Sequence, residues 1–455
     1  MKPLAVTARA EQRVAAALTA ALSGEAPVCV AYSGGLDSTV LLVLLDRLRG
    51  DRPLRAVHVD HGLQPESAGW AEHCRQQCDA LSVPFTHIRA SVDTTAGKSL
   101  EAVAREARYA ALADQLAADE WLVTAHHQQD QLETVLLALM RGSGVHGLAA
   151  MPVSGELHGL RLLRPLLNIH RDDLQRVADD MGLVWVEDPS NADLRFDRNY
   201  LRHSVLPALE KRWPAAAKAA TRSARLAADA LQIIDERAAE DIGSALTGNC
   251  LALDCLQGLA AGRQRNLLRH VCRELWLPLP SEGQLLEALA ALLTEREDAG
   301  PVASWPGVRV RRYRKALWLF AEAVDPGAFQ QPDAVLSWNV QDELQLGAGG
   351  GSLRLVKTSG RGVAATAALS TMQVRFRSGG EQLRPAPGAR RRDLKKLLQE
   401  KGVLPWMRKH IPLLYLDDEL LAVADLWLNV DHPAVVEQGD SVFAWAAHMP
   451  LYSPF

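Results

Sequence analysis

Residues 33–39 read Ser33-Gly34-Gly35-Leu36-Asp37-Ser38-Thr39, between a short apolar, β-prone run from Val28 to Tyr32 and an apolar helical stripe from Thr39 to Leu48. A strand that passes into a helix through paired glycines fixes both the local fold and the ligand such a turn can take. Glycine lets the backbone approach an anion closely and adopt positive φ. The first N–H groups of the helix have no intrahelical partner and point at that anion, helped by the helix dipole. Ser33, Ser38 and Thr39 add hydroxyl donors. Asp37 would repel phosphate, so its chemistry is to hold Mg²⁺ against the phosphates. The loop is not a Walker A, because the spacing differs and no Lys follows the glycines. The plain alternative is a capped helix after a glycine turn, without a ligand.

Strand and helix patterns alternate around this loop. Strands are expected at Leu54–Val59, Pro84–Ile88, Trp121–Thr124 and Val184–Val186. Helices are expected near Ser67–Leu81, Leu100–Ala118, Gln129–Met140 and Arg171–Met181. Repeated βα units imply an α/β fold, a doubly wound, Rossmann-like parallel sheet covered on both faces, in a domain spanning residues 1–213. Ligands then sit beyond the carboxyl ends of the strands, on the loops after Tyr32, Val59 and Thr124. From Pro214 to about Arg296 the sequence is Ala-rich and helical without strand alternation, which predicts a mainly helical domain over 214–323 that ends in one strand, Arg309–Phe320. Gly347 and the run Gly349-Gly350-Gly351 break regular structure between 324 and 350. A small α+β domain of short strands and one clear helix is expected over 350–455.

The chain of 455 residues carries a net charge of −4, so any nucleic-acid surface must be local. No apolar run reaches the 18 residues that span a membrane. The first 18 residues read as an amphipathic helix interrupted by Arg9, Glu11 and Arg13, without the apolar core of a signal peptide. The six cysteines form no CxxC pair; Cys29 reads as core, and Cys74 and Cys78, one helical turn apart, read as packing. A reducing cytoplasm is the expected setting.

After the fourth strand comes Thr124-Ala-His126-His127-Gln-Gln129-Asp130-Gln-Leu-Glu133-Thr134. Asp130 and Glu133 share one face of a helix that begins here. Two carboxylates at a strand's carboxyl end suit Mg²⁺ binding, recognition of an amine, or proton transfer from an amine. A zinc site from His126, His127, Asp130 and Glu133 competes, without a recognised ligand spacing, and acids that merely complement the helix dipole are the bland reading. Arg105 and Arg108 share a helix face and read equally as a phosphate clamp or as solvated charge.

SGGLDS at 33–38 resembles the PP-loop of the N-type ATP pyrophosphatases. With VDHGL at 59–63, EAVAREARY at 101–109, TAHHQQDQLET at 124–134, RGSGVHGLAAM at 141–151 and EDPSNADLRFDRNYLRHSVLPAL at 187–209, it resembles the tRNA(Ile)-lysidine synthetase family. FRSGGEQLRP at 376–385 and LKKLLQEKGVLPWMRKHIPLLY at 394–415 resemble that family's C-terminal tRNA-binding domain. The resemblance implies that ATP is split between its α- and β-phosphates and that free L-lysine is joined to the wobble cytidine of a tRNA(Ile) with a CAU anticodon. The base oxygen attacks the α-phosphate, and the lysine ε-amine then displaces AMP. It further implies that Asp60 and His61 lie beside adenine and ribose, and that Asn191, Arg195, Arg198, Asn199 and Arg202 lie near the reacting base and anticodon loop. For such a reaction a carboxylate from Asp130 or Glu133 is the expected acceptor of the lysine proton and reader of its α-ammonium, with His126 a further catalytic candidate. Two departures stand out. Gln129 replaces the first of two adjacent acids, leaving Asp130 as the better acid, and Gln64 stands where Arg is common.

From Arg375 to His410 there are eleven Arg and Lys against three Asp and Glu, a local excess of eight positive charges in a chain of net −4. Such concentration suits a phosphate backbone, with Lys395, Lys396 and Arg408 as representative contacts; a solvated basic helix is the alternative. Arg309, Arg311, Arg312, Arg314 and Lys315 form a second basic strip. Rival functions are a PP-loop tRNA thiolase, for which no suitable cysteine cluster follows the loop, a small-molecule amidotransferase-type synthetase, and an RNA-binding scaffold with a vestigial nucleotide site.

Overall fold

The structure is a computed structural model that describes residues 3–60, 67–90, 100–157, 159–294, 300–327, 335–347, 349–365, 367, 371–446 and 448–454. The chain divides into two compact units, Met1–Ile233 and Ile234–Phe455.

The first unit opens with α1 (Pro3–Ala21), followed by β1 (Val28–Ala31), α2 (Leu36–Leu48), β2 (Leu54–Asp60), α3 (Ser67–Ala80), β3 (Phe85–Arg89), α4 (Leu100–Ala113), β4 (Trp121–Val123) and α5 (Gln128–Met140). The short α6 (Val145–Leu148), a hairpin of β5 (Ser154–Leu157) and β6 (Leu160–Leu163), and α7 (Arg171–Met181) come next. The sheet order is β3-β2-β1-β4-β6-β5. All pairings are parallel except the edge strand β5, which runs antiparallel to β6. This edge hairpin was not expected from the sequence, because its strands are four residues each. The chain leaves β1 toward β2 and later returns to β1's other side as β4. The crevice for a ligand therefore opens beyond the carboxyl ends of β1 and β4. Val28, Cys29 and Val30 are fully buried, as a central strand covered on both faces requires.

The strand expected at Val184–Val186 does not form. Val186 donates its N–H to the carbonyl of Gly34 at 2.9 Å, so this segment bonds to the glycine loop rather than to a sheet edge. Beyond it lie α8 (Asp197–Tyr200), a π-helical turn at Leu201–Val205, α9 (Leu206–Arg212) and the long α10 (Ala216–Ile242), inside which the two units divide.

The second unit corrects the expectation of helix without strands. β7 (Leu246–Thr247) and β8 (Cys250–Ala252) pair with each other and precede α11 (Leu253–Gln257), α12 (Ala261–Glu274) and α13 (Glu282–Leu292); β8 also pairs with a strand beyond these helices. The single strand expected at Arg309–Phe320 is two: after β9 (Val302–Trp305), β10 (Val308–Tyr313) turns at Arg314, whose φ is 53°, into β11 (Ala316–Ala321). The resulting antiparallel sheet, β7-β8-β11-β10-β9, packs on α11–α13 around Leu267, Leu268, Leu285, Val310 and Leu317. Two- and three-residue strands carry too little alternation to be read from sequence.

Residues 324–350, expected to lack regular structure, hold β12 (Leu336–Asn339) and β13 (Leu344–Gln345). The C-terminal part continues with β14 (Ser352–Val363), β15 (Thr371–Arg375), β16 (Gln382–Leu383), β17 (Arg392–Asp393), α14 (Leu394–Glu400), β18 (Leu413–Leu416), β19 (Glu419–Val423), β20 (Trp427–Leu428) and β21 (Val435–Ala446). Sheets of order β12-β15-β18-β19-β20 and β13-β14-β21 enclose a core that includes Trp338, Val374, Leu394, Leu414 and Phe443.

Candidate active site

The glycine loop is shaped by what packs behind it. Gly34 has φ +83°, and a Cβ there would stand 2.8 Å from Cys74 Sγ, so only glycine fits. Gly35 is the N-cap of α2 and makes no side-chain cap bond, which leaves the first amides of the helix for an anion. Ser33 and Ser38 bond each other through their hydroxyl oxygens at 3.0 Å, and Ser38 Oγ donates to the Gly35 carbonyl at 3.0 Å. Thr39 departs from expectation. Its hydroxyl turns inward, 3.4 Å from the Gly34 carbonyl and 3.3 Å from Tyr32 Oη, and is no phosphate donor.

A cavity of about 640 Å³ lies over this loop. Ser33, Gly35, Leu36, Asp37 and Ser38 line it from one side, and His126, Asp130 and Arg171 from the α5 and α7 side. Asn191, Arg202 and His203 close it from the 187–203 segment, and Arg108 reaches it from α4.

α5 starts with a reciprocal cap. The Asp130 N–H donates to His127 Nδ1 at 3.4 Å, and the His127 N–H donates to Asp130 Oδ2 at 2.9 Å. His127 Nε2 also faces Asp37 Oδ2 at 3.6 Å, so this buried imidazole links the glycine loop to α5. Burial pulls the His127 imidazole's pKa down, but the carboxylates of Asp130 and Asp37 outweigh it and the net direction is up. Burial likewise pushes the Asp130 carboxyl up, yet His127, His126 and Arg202 together hold it below the usual range. The other oxygen of Asp37, Oδ1, is buried and has no hydrogen-bond partner among the described residues; Arg171 Nε approaches it to 3.9 Å. His126 is held by Thr124, Nδ1 to Oγ1 at 2.8 Å.

Glu133 does not line this cavity. Its side chain is fully buried and both its oxygens bond Arg202. The expectation that it meets a substrate amine is therefore corrected: what reaches the cavity from this pair is the guanidinium, which also contacts Asp130 Oδ1 at 3.1 Å. Among the described residues no group of three or more His, Cys, Asp and Glu is arranged for a metal, so the zinc reading of residues 126–133 has no support.

The segment from 187 holds itself in shape with groups expected to touch RNA. Asn199 Nδ2 donates to the carbonyls of Ser190 and Asp193 at 2.9 and 3.0 Å, and Arg195 pairs with Asp193. Arg198 Nη2 reaches Thr134 Oγ1 at 3.3 Å. Of the five residues expected here, Asn191 and Arg202 line the cavity, whereas Arg195, Arg198 and Asn199 do not. His203, bonded through Nε2 to the Asn191 carbonyl at 2.8 Å, and Arg171 line it too and were not singled out from the sequence. Asp60 is buried at the end of β2, 3.2 Å from Ser67 Oγ, and is not part of the cavity wall. His61 and the side chain of Arg105 lie outside the described residues.

The sequence of this unit matches the PP-loop domain family over residues 6–209. Further along, residues 251–318 match the TilS substrate binding domain and 372–445 the TilS substrate C-terminal domain. The tRNA(Ile)-lysidine synthase of Coxiella burnetii is 41% identical over 404 residues, 88% of this chain and 89% of that one. That of Alkalilimnicola ehrlichii is 44% identical over 400 residues, with the same shares, and that of Serratia proteamaculans 42% over 424 residues, 92% and 95%.

The chain belongs to the tRNA(Ile)-lysidine synthase family. It is thus a PP-loop ligase that uses ATP and acts on tRNA. One feature fits a tRNA(Ile)-lysidine synthase better than the thiolase rival. Burial pushes the thiols of Cys29, Cys74, Cys78, Cys250 and Cys272 up to about 12, so none of them is a ready thiolate, including Cys74 beside the glycine loop.

The basic surfaces of this tRNA(Ile)-lysidine synthase family member are narrower than composition implied. In the second strip, Arg311 is spent on Asp325, Arg309 faces Asp325 at 3.4 Å, Lys315 pairs with Asp254, and Arg312 is buried against the Leu292 carbonyl. In the C-terminal domain Arg375, Arg377, Arg384 and Arg392 pair with Asp418, Glu381, Asp431 and Glu400. Arg408 is half-buried, donating to the Val403 carbonyl at 2.9 Å and to Tyr313 Oη at 3.3 Å, which makes it structural. Lys395 and Lys396 are exposed on α14, with Arg390 and Arg391 exposed just before it. Among the described residues no helix is long and apolar enough to cross a membrane.

Proposed function

We propose that the protein ligates free L-lysine to carbon 2 of the wobble cytidine of a tRNA(Ile) with a CAU anticodon, using ATP and Mg²⁺ and releasing AMP and PPi. The observation that carries this reading is one cavity in which a glycine loop for phosphates, the ionised Asp130 and the Arg202 guanidinium converge.

The free amides of α2 and the hydroxyls of Ser33 and Ser38 hold the triphosphate in line with the base oxygen. Asp37, whose buried Oδ1 makes no hydrogen bond among the described residues, has the donor that Mg²⁺ requires. When bound, Mg²⁺ neutralises triphosphate charge. The guanidiniums of Arg202 and Arg171 add fixed positive charge where the α-phosphate gains negative charge. A bond forms from the base oxygen to the α-phosphorus, and the bond to the β-phosphate oxygen breaks.

AMP is a far better leaving group from carbon 2 than the original oxygen. Asp130, held ionised, reads a lysine ammonium. His126, fixed by Thr124, takes the proton that the ε-ammonium must lose before it attacks. A C–N bond then forms and the C–O bond to AMP breaks. Cytoplasmic location follows from such a substrate.

The test is PPi release by pure protein with ATP, Mg²⁺, lysine and unmodified tRNA(Ile) (CAU) transcript. We expect release that depends on the tRNA, labelled lysine in the RNA, and loss of both in Asp37→Ala. ATP cleavage without lysine in the RNA would overturn the acceptor, and no cleavage with any tRNA would overturn the enzyme.

A further inference from the structure

The first unit holds a second cavity, of about 510 Å³, on which the proposed reaction makes no demand. It lies on the other side of α5, which contributes Gln128 and Gln131 to this wall and Asp130 to the catalytic one. Gln131 is buried and fixes the floor, accepting from the Met151 N–H at 3.0 Å and donating to the Met151 carbonyl at 2.8 Å.

Its charge is one-sided. Arg13 of α1 and Lys218, Arg222 and Arg225 of α10 line it, and no Asp or Glu does. Residues 218, 222 and 225 are spaced four and three apart, which puts them in one row on α10. Arg13 is tied to the Asn168 carbonyl and Arg225 to Asp229, whereas Lys218 and Arg222 make no ion pair among the described residues. Both are exposed, so their charges are available without desolvation cost.

We propose that this cavity is a second RNA site, which seats the phosphodiester backbone of the tRNA outside the reacting nucleotide. The row from Lys218 to Arg225 runs about 10 Å along the helix at 1.5 Å per residue, longer than one phosphate group. A single free phosphate would leave most of it unused, while successive backbone phosphates match it. The apolar floor around Met151 and the amides of Gln128 and Asn168 suit ribose and base edges. Because the two cavities share α5, RNA held here is anchored on the reverse of the helix whose first turn carries the catalytic groups. The inference rests on tRNA being the substrate.

The experiment is tRNA(Ile) transcript binding by the full chain, Lys218→Gln/Arg222→Gln against wild type, over a range of salt. Losing two backbone contacts lowers the slope of log K against log salt by about 1.4 and weakens binding roughly tenfold or more at 0.1 M salt. The apparent KM for tRNA rises and kcat at saturating tRNA stays near wild type. Asp37→Ala separates this from the catalytic reading, since it should bind tRNA normally while making no product. Unchanged affinity and slope in the double variant would overturn the proposal. So would a fall in the number of ATP molecules bound per chain by equilibrium dialysis with tRNA binding intact, which would assign the cavity to a free nucleotide.

Discussion

Arg202 forms a two-point bond with Glu133, Nε to Oε1 at 2.9 Å and Nη2 to Oε2 at 3.1 Å, and so delivers its guanidinium to a cavity that Glu133 never reaches. Burial pushes the Glu133 carboxyl up while Arg202 pulls against it. Glu133 is thus a positioning residue. Glu133→Gln keeps the shape but removes the opposing charge. We expect a stability loss of about 2–4 kcal/mol by denaturant melts and a fall in kcat of roughly a hundredfold, with KM for lysine little changed. Asp130→Asn should instead raise KM for lysine. A reversed pattern would return the amine-reading role to Glu133.

Gly34 meets Cys74 where a Cβ would be, in a backbone region that side chains avoid. Gly34→Ala should destabilise the fold by roughly 1–3 kcal/mol and raise KM for ATP. Cys74→Ala opens the space without altering φ. In a double-mutant cycle the pair should therefore cost less than the sum of the single changes. Strict additivity would show that the left-handed backbone alone imposes glycine.

Asp325 gives a pH dependence with a definite sign. Burial raises its carboxyl pKa, but two bonds from Arg311, at 2.8 and 2.7 Å, the Gly327 amide and the Arg309 charge outweigh this and hold it below the usual carboxylate range. A depressed carboxylate contributes stability above its unfolded pKa, and that contribution is lost as pH falls through the folded value. Wild type should exceed Asp325→Asn in chemical stability by a constant margin above about pH 4, and the margin should shrink below it. A margin that grows toward acid would contradict the ion pair.

The C-terminal surface offers a charge-counting test. Arg390, Arg391, Lys395 and Lys396 are exposed without an ion pair among the described residues, whereas Arg384 faces Asp431 at 3.2 Å. Changing the four to Gln should lower the salt slope of tRNA binding by about 3. Arg384→Gln should leave the slope unchanged. Equal effects per residue would mean that the surface acts only through its total charge.

The strand–glycine–helix turn, the repeated βα units and the helix start that carries Asp130 were legible because each depends on residues within a few positions of one another. A helix start, a phosphate loop and a capped turn are local events, written in periodicity and in glycine placement. The extended arm at Val184–Val186 was misread as a strand for the same reason: its composition is β-prone, and only its bond to Gly34 shows that its partner is a loop.

Amino-acid order alone thus determined the family, the ATP loop and the pool of charged groups. The tertiary structure decided which of those charges are spent. Arg311, Arg375 and Arg392 look like RNA contacts in sequence but meet carboxylates brought up by the fold, and Glu133 looks like a substrate acid but meets Arg202 from 69 residues away. A charge's availability depends on its nearest opposite charge in space. Chain folding sets that distance, and residue type does not.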